Sequence, residues 1–104
     1  GEFGGLGIQI TKTKDGRLLI IAPIEDTPAY RAGLKAGDVI VKIEDKKVTP
    51  DMSLMEAVKL MRGKPGTKIT IWIWRKGWPE PKPFTITRAV IKMKSVKYSI
   101  LEGD

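Results

Sequence analysis

The fold is decided by residues 30–43, which read YRAGLKAGDVIVKI. Gly33 is typical of the residue just past a helix, because glycine adopts the left-handed conformation at little cost. Residues 34–38 have the composition of a tight turn, and the alternating apolar residues at 39–44 predict a half-buried strand. The run therefore predicts a short helix, a turn and a strand in direct succession.

Two helices are predicted, one on each side of that strand. Thr27 before Pro28 is an N-cap with proline at the first helical position, so the short helix covers residues 28–32. The longer helix covers residues 53–62 and can be capped by Asp51 or Ser53. The pair Ser53 and Glu56 resembles a capping box, and Gly63 stops the helix. Its apolar residues cover two adjoining faces, which leaves open whether both face the core or one faces a ligand.

The rest of the chain alternates between short strands and turns. Strands are predicted at 8–13, 18–21, 39–44, 68–75 and 84–87, with turns at 14–17, 45–47 and 64–67 and a proline-rich hairpin loop at 77–83. An extended segment is predicted at 90–100. This order predicts a mostly β, α+β fold, a small partly open barrel or sandwich capped by one long and one short helix.

A glycine-rich loop stands directly before the first strand. It reads GGLGI at residues 4–8, and glycine lets successive backbone N–H groups converge on one point. Such a nest of donors suits an anion, for example the terminal carboxylate of a peptide. The strand that follows would offer an edge to which an extended peptide could add.

Composition excludes several classes of function. The 104 residues contain no cysteine and no histidine, which excludes disulfides, thiolate or histidine metal sites and histidine-based triads. No apolar run is long enough to span a membrane. The formal charge of +7 comes from scattered basic residues, which indicates solvated faces rather than a nucleic-acid site. We therefore expect no cofactor, no metal and no nucleic acid.

The run at 30–43, with its Gly-Leu-x-x-Gly-Asp-x-Ile core, resembles the most diagnostic stretch of bacterial PDZ domains. Residues 5–8 are similar to the carboxylate-binding loop of that family, and residues 54–63 are similar to its groove helix. Residues 1–8 and the helix end and turn at 61–67 resemble the PDZ domain of carboxyl-terminal processing proteases, which are serine peptidases. The tail at 88–104 resembles the segment that leads from that domain into the peptidase core.

The resemblance implies a PDZ domain at residues 1–88 and a strand or linker segment at 89–104 leading toward an absent peptidase core. The catalytic serine and lysine of the family belong to that core, so the chain is expected to carry no catalytic residue and not to be an enzyme by itself. Its parent would be a carboxyl-terminal processing serine peptidase of the bacterial periplasm or cell envelope. The domain would present substrate C-termini to that peptidase and could gate it.

The resemblance also implies the binding residues. The peptide would pair as a strand with Ile8, Gln9, Ile10 and Thr11, and its carboxylate would be held by Gly5, Leu6, Gly7 and Ile8. Its last side chain would enter an apolar pocket, and the side chain two residues earlier would meet Leu54. The pocket set is Leu6, Ile8, Ile10, Leu54, Val58 and Met61. PDZ domains that select Ser or Thr there carry a histidine at the position of Leu54, so we expect a preference for apolar residues at both places.

Several alternatives stay open at this point. Leu6 and Ile8 could be ordinary core residues, and Met61 could fill a gap in the core. The pair Trp72 and Trp74 could pack against a neighbouring domain or loop, or stack on nucleic acid. Trp78 could be exposed or folded back on its hairpin. The chain could also be a PDZ domain of a different envelope protease or of a secretion component.

Overall fold

The computed structural model describes residues 4–91. Its strands are β1 (Ile8–Lys12), β2 (Leu18–Pro23), β3 (Val39–Ile43), β4 (Lys46–Lys47), β5 (Lys68–Trp74) and β6 (Lys82–Thr87). Its helices are α1 (Pro28–Ala32) and α2 (Leu54–Met61). The extended segment predicted at 90–100 lies almost entirely outside the described residues.

The strands form one antiparallel sheet in the order β1-β2-β3-β5-β6, and β4 pairs with β3. A one-residue irregularity interrupts the β1–β2 ladder, because Gln9 is opposite Ala22 whereas Ile10 is opposite Ile20. The extra residue, Ile21, projects to solvent, as expected at a β-bulge. The predicted α+β class with one long and one short helix is confirmed, and the predicted partly open barrel or sandwich is an open sheet.

The core lies between one face of the sheet and the two helices. On β5 the alternation places Ile69, Ile71 and Ile73 inside, while Trp72 and Trp74 point to the other face. The helices add Ala29 from α1 and the buried side chains of α2 to the same cluster. The strict alternation of β5 is the period-2 pattern of a strand with one buried face.

Residues 30–43 fold as their sequence predicts. Thr27 caps α1, and Gly33 ends it with a φ of 93° in the left-handed region. Asp38 is buried, accepts a hydrogen bond from the backbone N–H of Lys35, and holds the Arg75 guanidinium through both carboxylate oxygens. This ion pair ties the turn before β3 to the end of β5.

Several element boundaries differ from the sequence predictions. Lys46–Lys47 is a short strand, so the turn before it is Glu44 and Asp45. Strand β2 continues to Pro23, and β6 begins at Lys82 inside the predicted proline-rich loop. Helix α2 ends at Met61 with Arg62 in an extended conformation, and Gly63 is not in the left-handed region. Helix α2 therefore has no glycine C-cap.

Candidate functional site

The glycine-rich loop before β1 is anchored through its carbonyl groups. Four successive carbonyls, those of residues 4–7, each accept a backbone hydrogen bond, from the N–H groups of Gly63, Ala89, Ala29 and Ile24 in that order. The donor–acceptor distances lie between 2.8 and 3.1 Å. The loop is thus fastened to the end of α2, the segment after β6, the start of α1 and the end of β2.

This anchoring fixes the direction of three backbone N–H groups. In a trans peptide the carbonyl of one residue and the N–H of the next point in opposite directions, and the described chain has no cis peptide bond. The N–H groups of Leu6, Gly7 and Ile8 therefore point away from Ala89, Ala29 and Ile24, respectively. The N–H of Gly5 donates to the Ala89 carbonyl at 2.8 Å.

Gly7 is the position where the loop requires glycine. Its φ is +88°, in the left-handed region. A Cβ built at this residue would lie only 2.3–2.6 Å from three side-chain atoms of Thr27. Thr27 is buried, caps α1, and donates its hydroxyl to the carbonyl of Ile24 at 2.6 Å. The loop conformation therefore depends on close packing between Gly7 and Thr27 at the start of α1.

Strand β1 continues directly from this loop and is the terminal strand of the sheet order. Its predicted pairing residues 8–11 all lie within it, with Ile8 and Ile10 fully buried and Gln9 and Thr11 partly exposed. A strand at the end of a sheet is the place where an extended peptide can add by backbone hydrogen bonds.

Helix α2 begins with the predicted capping box. The Ser53 hydroxyl accepts from the Glu56 N–H at 3.0 Å, and the Glu56 carboxylate accepts from the Ser53 N–H at 2.9 Å. The hydrogen bond from the Ser53 backbone lowers the pKa of Glu56 below its ordinary value. The glutamate is thus charged at neutral pH and satisfies a donor at the start of the helix.

The other end of α2 is held by a residue that the sequence did not identify. Arg88, just after β6, donates from Nε to the Met61 carbonyl at 2.8 Å and from Nη2 to the Leu60 carbonyl at 3.3 Å. Its Nη1 donates to the Thr67 hydroxyl. A guanidinium on the last carbonyls of a helix also complements the negative end of the dipole. The contact depends on tertiary structure, so no local sequence signal reveals it.

The six predicted pocket residues come together in one cluster. Leu6, Ile8, Ile10, Val58 and Met61 are fully buried, and Leu54 is partly buried against them. Only the face of α2 that carries Ala57, Val58 and Met61 is fully buried, while Met55 is 46% exposed. The cluster fits both a core and the wall of a pocket, so the binding role of these side chains stays a prediction.

The tryptophans have different environments. Trp78 is folded back on its hairpin, where it stacks on Phe84 with ring centroids 6.3 Å apart. The charged ends of Arg75 and Lys82 lie 4.6 and 4.4 Å from the Trp78 ring centroid. Trp74 donates its indole N–H to the Trp78 carbonyl at 3.0 Å. Trp78 and Trp74 therefore stabilise the β5–β6 hairpin.

Residues 4–91 lack two kinds of feature. This part of the chain contains no cluster of three or more acidic, histidine or cysteine side chains able to hold a metal ion. It also contains no helix with the length and hydropathy needed to cross a membrane.

The capping box gives a prediction for the stability contributed by helix α2. Replacing Ser53 by Ala is expected to lower the free energy of unfolding by about 1 kcal/mol, the usual cost of losing an N-cap. Urea denaturation measures the loss. Ser53→Asp is the matched control, because aspartate can cap in the same way and should retain most of the stability.

The same box predicts a pH dependence. Because the folded-state pKa of Glu56 is lowered, its contribution to stability is present above its ordinary pKa of 4.5 and is lost as the pH falls through the folded value. The stability difference between the wild type and Glu56→Gln should therefore be present at neutral pH and vanish in acid. A difference that grows in acid would contradict the assignment.

Comparison with known families decides the class of this domain. Residues 4–81 match the family model described as PDZ domain. The chain belongs to the PDZ family. The resemblance predicted three peptide-binding elements in this fold. They are the glycine loop before β1, the terminal strand β1 and the helix α2.

A curated relative identifies a type of protein to which this PDZ domain is similar. A carboxy-terminal-processing protease of Bartonella bacilliformis is 48% identical over 104 residues, which is 100% of this chain and 23% of the relative. The chain thus spans less than a quarter of that protease. The predicted recognition, a PDZ domain of the carboxyl-terminal processing protease type, is confirmed.

Two solved structures share the fold. The photosystem II D1 C-terminal processing protease aligns with a TM-score of 0.81 and 26% identity, covering 90% of this chain and 25% of that one. The PDZ domain of a carboxy-terminal protease from Vibrio cholerae, solved in complex with a peptide, aligns with a TM-score of 0.77 and 23% identity. That alignment covers 89% of this chain and 100% of the Vibrio domain.

Proposed function

We propose that this PDZ domain captures the C-termini of protein substrates by strand addition and carboxylate binding, and presents them to the peptidase of its parent protein. The observation that supports this most strongly is the anchoring of the loop at residues 4–7 through its carbonyls. It directs the N–H groups of Leu6, Gly7 and Ile8 to the sides opposite their anchors. Backbone N–H groups bound to a carboxylate form charge-assisted bonds, roughly twice as strong as neutral ones.

A positively charged residue near the loop adds to the proposal. The Arg62 Nε is buried and has no hydrogen-bond partner within residues 4–91. Arg62 directly precedes Gly63, whose backbone pairs with Gly4 at the start of the loop. A buried donor without an acceptor is costly. We propose that Arg62 assists in attracting the anionic end of the peptide.

The peptide would add to β1 as a further antiparallel strand. Its backbone would pair with residues 8–11, and its alternate side chains would face α2. The last side chain would pack on the apolar cluster of Leu6, Ile8, Ile10, Val58 and Met61. Such a frame binds any extended peptide through its main chain, and the pockets supply selectivity.

The parent protein is proposed to be a carboxyl-terminal processing serine peptidase of the periplasm or cell envelope. The Bartonella protease supports this proposal, because it is 48% identical to this chain over all 104 residues. Residues 1–88 would form the binding domain, and the segment from residue 89 would lead to the peptidase core. This relationship favours the processing role over that of a PDZ domain from a different envelope protease or secretion component.

Binding of matched peptides tests the proposal. The probe is a hexapeptide ending in Val-Ala-Val with a blocked N-terminus, used with a free and with an amidated C-terminus. We expect the free acid to bind at least about tenfold tighter by isothermal titration calorimetry, because the amide loses the charge-assisted contacts. Equal affinity of the two peptides would reject carboxylate capture.

Selectivity two residues from the peptide end gives a further prediction. Replacing that valine by threonine should weaken binding by roughly fivefold, because the hydroxyl would leave water without a partner beside Leu54. The variant Leu54→His should reduce or reverse this preference, since imidazole can hydrogen-bond a hydroxyl. A wild-type preference for threonine would contradict the assignment of Leu54.

A further inference from the structure

A second cleft lies on the outer face of the sheet, away from the loop, β1 and α2. Its volume is about 490 Å³, and it is lined by Val41, Lys42, Lys47, Trp72, Glu80 and Pro81. These residues belong to β3, β4, β5 and the loop before β6, so the cleft shares no lining residue with the proposed C-terminus site. Of the three tryptophans, Trp72 lines this cleft.

Two lysines lie side by side at this cleft. Lys42 on β3 and Lys47 on β4 are directly opposite in the antiparallel register, so their side chains project from the same face. Neither lysine forms an ion pair within residues 4–91. Like charges placed directly opposite destabilise a sheet. An anion held between the two ammonium groups would relieve that repulsion.

Trp72 supplies an apolar wall and a hydrogen-bond donor beside the lysines. The Lys42 ammonium lies 5.5 Å from the centroid of the Trp72 ring, over its face. Trp72 is partly exposed, and its indole N–H has no acceptor in the described part of the chain. Val41 and Pro81 extend the apolar lining. The cleft thus combines two cations, one carboxylate from Glu80, one N–H donor and an apolar surface.

We propose that this cleft binds an acidic peptide segment, in which an Asp or Glu carboxylate lies between Lys42 and Lys47 and a neighbouring apolar side chain packs on Trp72 and Pro81. Charge complementarity and the apolar lining together select this occupant. Single-stranded nucleic acid fits less well, because Lys42 already covers one face of the Trp72 ring.

Nuclear magnetic resonance of the 104-residue chain with fully blocked peptides tests the proposal. The probe is acetyl-Asp-Glu-Leu-Pro-Glu-amide, whose amidated end removes it from the C-terminus site. We expect shifts of the Trp72 indole N–H and of the Lys46 and Lys47 amides, with none along Leu6–Ile8. The matched peptide with Asn and Gln in place of Asp and Glu should bind at least about tenfold more weakly.

A charge reversal separates binding from stability. Lys47→Glu should weaken the acidic peptide by at least about tenfold and, because it removes the cross-strand repulsion with Lys42, raise Tm by about 1–5 °C. Lys14→Glu makes the same charge change in the exposed β1–β2 turn and should alter the peptide affinity less than about twofold. If the Tm of Lys47→Glu rises, its loss of peptide binding is not caused by a loss of folding.

Several outcomes would overturn the proposal. For the wild type, these are no binding at millimolar peptide, equal affinity for the neutral peptide, or chemical shift changes confined to β1 and α2. For the variants, it is an equal loss of peptide affinity in Lys47→Glu and Lys14→Glu. Tighter binding of a short oligothymidylate with shifts at Trp72 would also overturn it, in favour of nucleic acid. The result does not depend on whether a free peptide C-terminus binds at β1.

Discussion

Gly7→Ala is expected to lower the free energy of unfolding by about 2–5 kcal/mol, the largest effect of any single-methyl change we consider. About 1–2 kcal/mol comes from holding a residue with a Cβ at a φ of +88°. About 1–3 kcal/mol more comes from forcing that Cβ against Thr27, which it would meet at 2.3 Å. Thermal and urea unfolding measure the loss, which should appear as a fall in Tm of about 10 °C or more.

Gly37→Ala is the matched control for this prediction. Gly37 has a φ of +92°, and a Cβ built there would meet nothing within 4 Å. It should therefore show the conformational cost alone, about 1–2 kcal/mol. Equal losses at the two positions would show that contact with Thr27 does not fix the loop. Gly7→Ala should also abolish peptide binding under conditions in which the variant is still folded, whereas Gly37→Ala should bind normally.

Arg75→Gln is expected to lower the free energy of unfolding by about 2–4 kcal/mol. Asp38 is 1% exposed, and Arg75 holds both of its oxygens, at 2.7 and 2.8 Å. Removing one partner of a buried pair leaves the other charge buried and unpaired. The Arg75 side chain is 26% exposed, so the loss should fall toward the low end of what fully buried pairs show. The substitution also removes the hydrogen bond from the Arg75 guanidinium to the Gly33 carbonyl and the packing of the guanidinium on the Trp78 ring.

A double-mutant cycle checks that the loss comes from the pair. Asp38→Asn combined with Arg75→Gln should cost much less than the sum of the single changes, since each single change already breaks the same contact. Arg17→Gln is the surface control. Arg17 and its partner Asp15 are 55% and 65% exposed, so no measurable change is expected. Additive losses in the cycle would mean that Asp38 and Arg75 stabilise the fold independently.

The sequence predicted the elements whose local signals are strong. The alternation of β5, the N-cap before Pro28 and the capping box at Ser53 are all set by residues close together in the chain, and the structure has each of them. The short strand Lys46–Lys47 was missed because two lysines carry no apolar alternation. The start of β6 was missed because Pro83 resembles a loop residue, although proline is tolerated in a strand at the edge of a sheet.

In the candidate site, too, the sequence predicted the features set by neighbouring residues and missed those set by distant ones. The sequence located the glycine loop and the strand after it, since glycine spacing is a local signal. The direction of the loop N–H groups depends on four carbonyl anchors from distant parts of the chain. The need for glycine at residue 7 depends on Thr27, and the end of α2 depends on Arg88. Burial of Leu6 and Ile8 likewise follows from packing, which composition alone does not determine.

Carboxylate capture by the loop is the central claim, and the backbone amide shifts of Leu6, Gly7 and Ile8 test it most directly. In a titration followed by nuclear magnetic resonance, the free-acid hexapeptide should move these three amide protons downfield, while the Gly5 amide, which donates to Ala89, should move less. The amidated peptide should leave all three close to their starting positions. Equal shifts with both peptides, or no shift at Gly7 and Ile8 on saturation with the free acid, would contradict the account.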